Sequence, residues 1–154
     1  MYVKCINYGA LNVAINCIDV AGQIAYLLNN NNNLRRTHNS STILKSNDLY
    51  LVELWGSTVI GCVALSNIAN VDKIIHLSVL STVQGRGIGY KLLRTAIDTS
   101  FKETIYMQVR NDNTKSLNLA YMNGFKVVSC IEKLNYSIFN LYLFNQGVKW
   151  NLQM

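Results

Sequence analysis

A mixed α/β sheet with helices on both faces is the fold class this sequence predicts, and three observations point to it. Short β-branched runs alternate with stretches of helical period, in the order β α loop β β β α β α β β. Two apolar runs, Tyr50 to Leu54 and Thr58 to Leu65, flank Trp55-Gly56-Ser57 and read as an antiparallel hairpin. A third apolar run, Lys73 to Leu80, leads through Gln84-Gly85-Arg86-Gly87-Ile88-Gly89 into a helix and then a further strand. That crossover makes the two strands parallel. The expected α+β sheet is six- or seven-stranded, mostly antiparallel, and parallel where the glycines lie.

The elements follow in order. Val3 to Asn7 reads as a first strand, and Asn12 to Leu28 repeats apolar residues (Val13, Ile18, Ala21, Ile24, Ala25, Leu28) at helical spacing. Five asparagines, Asn29 to Asn33, mark a loop or a frayed helix end. The polar stretch to Asp48 predicts a mobile loop or short helix. Gly61 inside the second hairpin strand signals a bulge or a close approach of another backbone. From Gly87 to about Ser100 a helix places Ile88, Leu92, Leu93, Ala96 and Ile97 on one face. Thr104 to Arg110 is the strand that follows. Asp112-Asn113 caps a helix from Thr114 to Asn123, which Gly124 ends, and Phe125 to Ile131 pairs with Tyr136 to Phe144.

The chain has 154 residues and 50% hydrophobic content, the size of one domain, so residues 1–154 are expected to form a single unit. Its formal net charge of +6 suits a polyanionic partner, either a phosphate-rich cofactor or a nucleic acid. No run of 18 apolar residues and no signal-peptide pattern is visible, which predicts a cytoplasmic protein without membrane contact. The four cysteines form no Cys-x-x-Cys pair and are read as free, buried thiols; no metal is expected.

The glycine turn carries the functional signal. Alternating glycines at the start of a helix leave backbone N–H groups uncovered, which makes an anion site. The nucleotide P-loop is excluded because the lysine and hydroxyl that it needs are not in place. The dinucleotide fingerprint fails as well, since Gly85-Arg86-Gly87-Ile88-Gly89 misses the third glycine by one position. What Gln84, Gly87 and Gly89 do match in spacing is the Gln/Arg-x-x-Gly-x-Gly/Ala signature, and the segment resembles the acyl-CoA site of the GNAT superfamily of N-acetyltransferases. The helix from Asn113 to Gly124-Phe125 is similar to a later segment of the same family. The resemblance covers roughly Asp48 to Ile131.

This resemblance implies acetyl-CoA as co-substrate and a sheet whose parallel middle strands are splayed to admit it. Backbone N–H groups from Gly85 to Gly89, Ile88 included, would hold the pyrophosphate, with Gln84 and Arg86 beside it. Leu77 and Val79 would bond pantetheine through the main chain. The N–H near Val79 or Leu80 would polarise the thioester carbonyl, Asn113 would bond the pantetheine arm, and Ser116 would reach the phosphates. The family's usual acid is a tyrosine four residues before the glycine of Gly-Phe; here that position is Ala120 and the tyrosine is Tyr121. Base candidates are His76, Glu53 and Asp72, or a water chain. Strand alternation puts His76 on the face of Ser78 and Leu80 unless a bulge intervenes.

The expected activity is acetyl transfer by direct attack of a primary amine, on a small molecule, peptide or protein, by a monomer or homodimer. The Asn29 to Asp48 segment and the turn from Glu132 to Asn135 would choose the substrate. Two other readings stay open. One is an aminoacyl-tRNA-acetylating toxin of the same family, with tRNA as partner, which requires Arg35, Arg36, Lys45, Lys91 and Arg94 to share a face. The other is a non-catalytic acyl-CoA-binding regulatory module, which the displaced tyrosine favours.

Overall fold

Seven strands form one sheet in the order β1-β2-β3-β4-β5-β7-β6. The structure, a computed structural model, describes residues 2–5, 17–31 and 36–144. The strands are β1 (Tyr2–Cys5), β2 (Leu49–Trp55), β3 (Thr58–Ile68), β4 (Val71–Val79), β5 (Thr104–Arg110), β6 (Lys126–Glu132) and β7 (Ser137–Phe144). The helices are α1 (Cys17–Asn31), α2 (Ser40–Lys45), α3 (Ile88–Thr99) and α4 (Thr114–Met122), with a 3-10 turn over Ser81–Val83. The start expected for the first helix and the tail from Asn145 to Met154 lie outside the described residues.

Each face of the sheet buries a different set of helices. On one face α3 and α4 supply Leu92, Leu93, Ala96, Ile97, Leu117 and Ala120, packed on Leu51, Val63, Ile74, Ile105, Met107 and Leu141. On the other face α1 and α2 bring Val20, Ile24, Leu27, Leu28 and Ile43 against Tyr50, Val52, Cys62 and Ala64. Periodicity is why this works: apolar residues at i, i+3 and i+4 on α3 meet alternate residues of the strands beneath. The expected layers, the hairpin and the β4–β5 parallel pair are all present.

Several details differ from expectation. β1 pairs with β2 in parallel, because α1 and α2 lie between them and only a crossover can join such strands. α1 continues through Asn29 and Asn30 to Asn31. Asn30 Nδ2 bonds the Tyr26 carbonyl at 2.7 Å and Asn29 bonds His38 through both its amide ends at 2.8 Å, so these asparagines anchor the next segment. That segment holds a short helix, α2, started by an Asn39–Thr42 capping box. Of the cysteines whose side chains are described, Cys62 is buried and Cys130 is exposed on the edge strand β6.

Gly61 serves close packing. Glu53 opposes Gly61 while Leu54 opposes Val59, so β3 bulges at Ile60. The helix α3 approaches Gly61 most closely: an added Cβ would lie 2.8 Å from Leu92 Cδ1 and 3.1 Å from Ile88 Cγ2, with the Ser78 carbonyl of β4 at 3.4 Å. Leu92 is fully buried and has no room to yield. Gly61→Val is therefore expected to destabilise the fold by about 1–3 kcal/mol, measured as a lower denaturant midpoint at unchanged slope.

Candidate active site

Parallel pairing between β4 and β5 covers only Asp72 with Ile105, Lys73 with Tyr106 and Ile74 with Met107. Beyond Ile74 the strands part. The irregularity is visible on the other side of β4, where Cys62 opposes Ser78 and Ala64 opposes Ile75, so Val63 faces both His76 and Leu77. The extra residue is a β-bulge that bends the strand, and His76 sits in it with φ 58°. For a non-glycine residue that backbone costs about 1–2 kcal/mol, and such strain gathers at functional sites. The bulge puts Ile75 and His76 on the α1 face, while Leu77 and Val79 pack toward α3. His76 thus keeps the face expected for it.

The parted strands border a gap of about 420 Å³ lined by Ile75, His76, Leu77, Gln108, Arg110 and Asn113, among others. It meets a second cleft of about 690 Å³ at the glycine turn, the two sharing Asn31, Leu77, Asn113 and Ser116. The register decides which backbone groups face the gap. Leu80 N–H donates to the Ile60 carbonyl at 2.9 Å, so this candidate for the thioester carbonyl is already engaged. Residues of an antiparallel ladder alternate in the direction of their polar groups, so Val79, adjacent to Leu80, and Leu77 two residues earlier turn theirs away from β3; Leu77 borders both clefts, Val79 the one at the glycine turn, where its carbonyl accepts from Gln84.

Gly85 (φ 78°) and Gly87 (φ 79°) adopt the left-handed backbone that lets the chain reverse into α3. Gly87 is the N-cap, and Lys91 N–H is bonded to its carbonyl at 3.0 Å. The N–H groups of Ile88, Gly89 and Tyr90 precede the first helical bond, at the positive end of the helix dipole. All three residues line the larger cleft. Gln84 is a strut more than a ligand: its Nε2 donates to Val79 O at 3.0 Å and its Oε1 accepts from Lys115 Nζ at 3.1 Å. Lys115, which the sequence reading passed over between Asn113 and Ser116, adds a cation to the cleft's lining. Its charge, one residue past the start of a helix facing the turn, was the available signal. Asn113 Oδ1 caps α4 by accepting Ser116 N–H at 3.2 Å, which leaves its Nδ2 as the donor for a ligand. Arg86 is exposed at the tip of the turn and does not line the cleft.

The proton-transfer candidates divide sharply. His76 borders the gap, its Nδ1 lies 2.7 Å from Tyr50 Oη, and its ring meets that of His38 edge-on at 4.9 Å. Burial first, then the neighbouring His38, pulls its pKa down to about 4, partly opposed by Asp48. Glu53 lies elsewhere: it is buried on the α3 side, 2.9 Å from Lys91 Nζ, and lines neither cleft. Asp72 sits at the opposite end of β4, where Ser100 Oγ donates to it at 2.6 Å, so it ties the end of α3 to the sheet. Tyr121 neither reaches the gap nor enters the core. α4 is regular, Ala120 takes the inward position with 0% exposure, and Tyr121 points outward at 48%. One helical step is about 100°, and that rotation removes the phenol.

Among the described residues, the basic side chains required for tRNA do not share one face. Arg36 and Lys45 flank α2 on one face of the sheet, whereas Lys91 and Arg94 belong to α3 on the other. Lys91 pairs with Glu53 and Arg94 with Asp98, and Arg35 lies outside the described residues.

A parallel pair splayed by a bulge, beside a glycine-turned helix start, is the architecture of a family of acyl-group transferases. Residues 23–125 match the family described as Acetyltransferase (GNAT) family, and the chain belongs to it. A curated relative, N-alpha-acetyltransferase RimI of Mycobacterium tuberculosis (strain ATCC 25618 / H37Rv), is 34% identical over 77 residues. That match spans about half of each protein, 47% of this chain and 49% of the relative. Among solved structures, the ribosomal-protein-S18-alanine N-acetyltransferase from Escherichia coli superposes with a TM-score of 0.73 at 14% identity, covering 87% of this chain and 93% of that one. The NatC complex bound to Gag peptide and CoA gives 0.63 at 22% identity, covering 80% and 89%. At these identities the likeness is one of fold.

His76 makes the fold pH-dependent in a direction that can be checked. An unfolded histidine titrates near 6.5 whereas the folded one stays neutral down to about 4. Between those values the unfolded chain binds more protons, so stability falls as the pH drops through this window. A loss on the order of 2–3 kcal/mol by pH 4 is expected from this group, read from denaturant midpoints at pH 7, 5.5 and 4.5, and His76→Gln should flatten the slope.

Proposed function

We propose that this protein transfers the acetyl group of acetyl-CoA to a primary amine, and that the amine is the N-terminal α-amino group of a polypeptide. The observation that carries the reading is a path made of two clefts with shared lining residues, one at the N–H groups that start α3 and the other at the unpaired edge of β4 at His76. Its two ends suit the two ends of the co-substrate. Anion donors from Gly85 to Gly89, Ile88 among them, with Lys115 beside them, fit a pyrophosphate. Leu77 and Val79 present main-chain groups where a strand-like pantetheine arm can pair. Because the arm enters at the glycine turn, its reactive end lies furthest from it, near the bulge. The Leu77 amide is then the donor nearest the thioester carbonyl and stabilises the negative charge that develops there. Val79 and Asn113 Nδ2 hold the arm behind it, with Ser116 between the clefts.

His76 is the base. Of the two protons that an acceptor ammonium loses on acetylation, one reaches the departing thiolate and one leaves through the imidazole. With Tyr121 turned outward, no described tyrosine lines the gap, and the thiolate takes its proton from the attacking nitrogen through solvent. An imidazole held near 4 is a weak base. It favours an α-ammonium, with pKa about 8, over a lysine-type ammonium near 10.4, whose proton is harder to remove. The matched relative's name, an N-alpha-acetyltransferase, and the peptide-bound neighbour favour the same acceptor class. The displaced tyrosine favours a second reading, a regulatory module that binds acyl-CoA without turnover.

Acetyl-CoA at a hundred times its dissociation constant is expected to stabilise the fold by about 2.7 kcal/mol, seen as a raised melting temperature. Gly87→Val should abolish that shift. Release of CoA thiol should be faster with peptides bearing an unblocked N-terminus than with diamines or N-blocked lysine peptides. His76→Ala should lower kcat by about 10²–10⁴-fold, while Tyr121→Phe leaves it unchanged. A melting shift with no thiol release from any amine would replace this reading with the regulatory one.

A further inference from the structure

The sheet is covered unevenly on its α1–α2 side. The core there draws on β2, β3 and β4, and no residue of β5, β6 or β7 enters it. Among the described residues, no helix covers the other half of that side, which β5, β7 and β6 form. Register arranges its side chains in rows, because opposed residues of neighbouring strands share a face. Lys73, Tyr106, Tyr142 and Lys126 make one row across β4, β5, β7 and β6. Gln108, Asn140 and Ser129 make the next, and Arg110 with Ile138 the one after.

Mutual contacts hold these side chains in place. The Tyr106 and Tyr142 rings lie 4.8 Å apart, and Lys73 Nζ is 5.3 Å from the centre of the Tyr106 ring while donating to Gln108 Oε1 at 2.9 Å. Asn140 Oδ1 accepts from Tyr106 Oη at 2.9 Å and from Gln108 Nε2 at 3.0 Å, and Asn140 Nδ2 donates to Ser129 Oγ at 2.8 Å. A solvated sheet face calls for polar side chains. Tyrosines and amides locked to one another go further: they offer a partner wide contact area whose ordering cost is already met.

Charge and position identify the occupant. Lysines stand at both ends of the first row, and among the described residues neither forms a salt bridge. No carboxylate belongs to the rows, and Asp112, beyond the end of β5, is already matched by Arg110. Gln108 and Arg110 belong to the rows and also line the gap at His76. The face is therefore continuous with the place where the acceptor amine would react. From Arg110 back to Tyr106 is about 13 Å along the strand, a distance that an extended chain covers in about four residues.

We propose that the uncovered face of β5, β7 and β6 docks the stretch of an acceptor polypeptide that follows its first few residues, and that it selects acidic side chains there. The proposal rests on the reading of the reaction as acetyl transfer to an N-terminal amine, and adds which polypeptides are taken. With the amine at His76, the acceptor chain passes over the tyrosine row after about four residues, where its carboxylates meet Lys73 and Lys126. Tyr106 and Tyr142 supply contact area between the lysines. Phe144, on the same face two residues past Tyr142 and 71% exposed, extends it.

Three acceptors with the same free N-terminus test this: a tripeptide, a decapeptide with aspartates in its second half, and a decapeptide with lysines there. The kcat/KM for release of CoA thiol is expected to be about 10-fold higher for the acidic decapeptide than for the tripeptide, a gain that high salt removes. The basic decapeptide should show no gain. Lys73→Glu combined with Lys126→Glu should reverse the preference between the decapeptides and leave the tripeptide rate and the acetyl-CoA melting shift unchanged. If that double variant fails to fold, Lys126→Glu alone, on an exposed side chain, should remove part of the gain. Equal kcat/KM for the tripeptide and the acidic decapeptide, or a preference that charge reversal does not move, would overturn the proposal. So would a dimer that Lys126→Glu dissociates with the acceptor preference intact, which assigns the face to a second copy, or a single-stranded oligonucleotide bound there while the acidic decapeptide is refused. Anisotropy of a dye-labelled acidic decapeptide separates the two readings. No thiol release from any peptide refutes acetyl transfer, whereas a labelled peptide that fails to bind, or binds the charge-reversed variant equally, refutes the docking face.

Discussion

Everything at the site depends on where the pairing of β4 with β5 stops. Three residues of register hold the strands together; Ile75, the next, still opposes Ala64, and just beyond it β4 carries one residue more than β3 can match. That single surplus residue, His76, does two things at once. It accompanies the parting of the strands that leaves Leu77 bordering an open gap, and it places an imidazole at the edge of that gap. The local cost, a left-handed backbone at a non-glycine residue, is borne because β3 and the core on either side hold the strand in place.

The two-faced core explains how such a gap persists in a small domain. α3 and α4 seal one side and α1 with α2 the other, so that unpaired strand edges are confined to one stretch. The same division separates the two clefts' surroundings. The uncovered N–H groups that start α3 belong to the α3–α4 side, with Lys115 and Gln84 joining the glycine turn to α4. Tyr50 and His38, the neighbours of the His76 ring, belong to the α1–α2 side. It also explains why the basic residues fail to make one surface, since they are divided between the two faces.

Most of the fold was legible in the sequence because its signals are local. Glycines at Gly56, Gly85, Gly87 and Gly124 all carry positive φ, so their placement marked turns and helix ends directly. The strands from β2 to β5 and helix α3 showed clear alternation or helical period. What was not legible depends on register between distant strands. No local pattern announces that Val63 opposes two residues, that Leu80 is engaged by Ile60, or that β1 runs parallel to β2. The candidate site divides in the same way. The positive-φ glycine turn into α3 was readable from spacing, but that Glu53 and Asp72 are tied elsewhere was visible only once their partners, Lys91 and Ser100, were known. Tyr121 shows the limit most plainly: a single position along a helix decided between a catalytic phenol and a surface one, and Ala120 holds the inward place.

The central claim is that the unpaired edge of β4 receives the co-substrate as if it were a strand. Residue-resolved amide hydrogen exchange, with and without saturating acetyl-CoA, addresses this most directly. The amides of Leu77 and Val79 are expected to slow strongly on binding, while that of Leu80, already bonded to Ile60, changes little. Unchanged exchange at Leu77 and Val79 in the presence of bound acetyl-CoA would contradict the account.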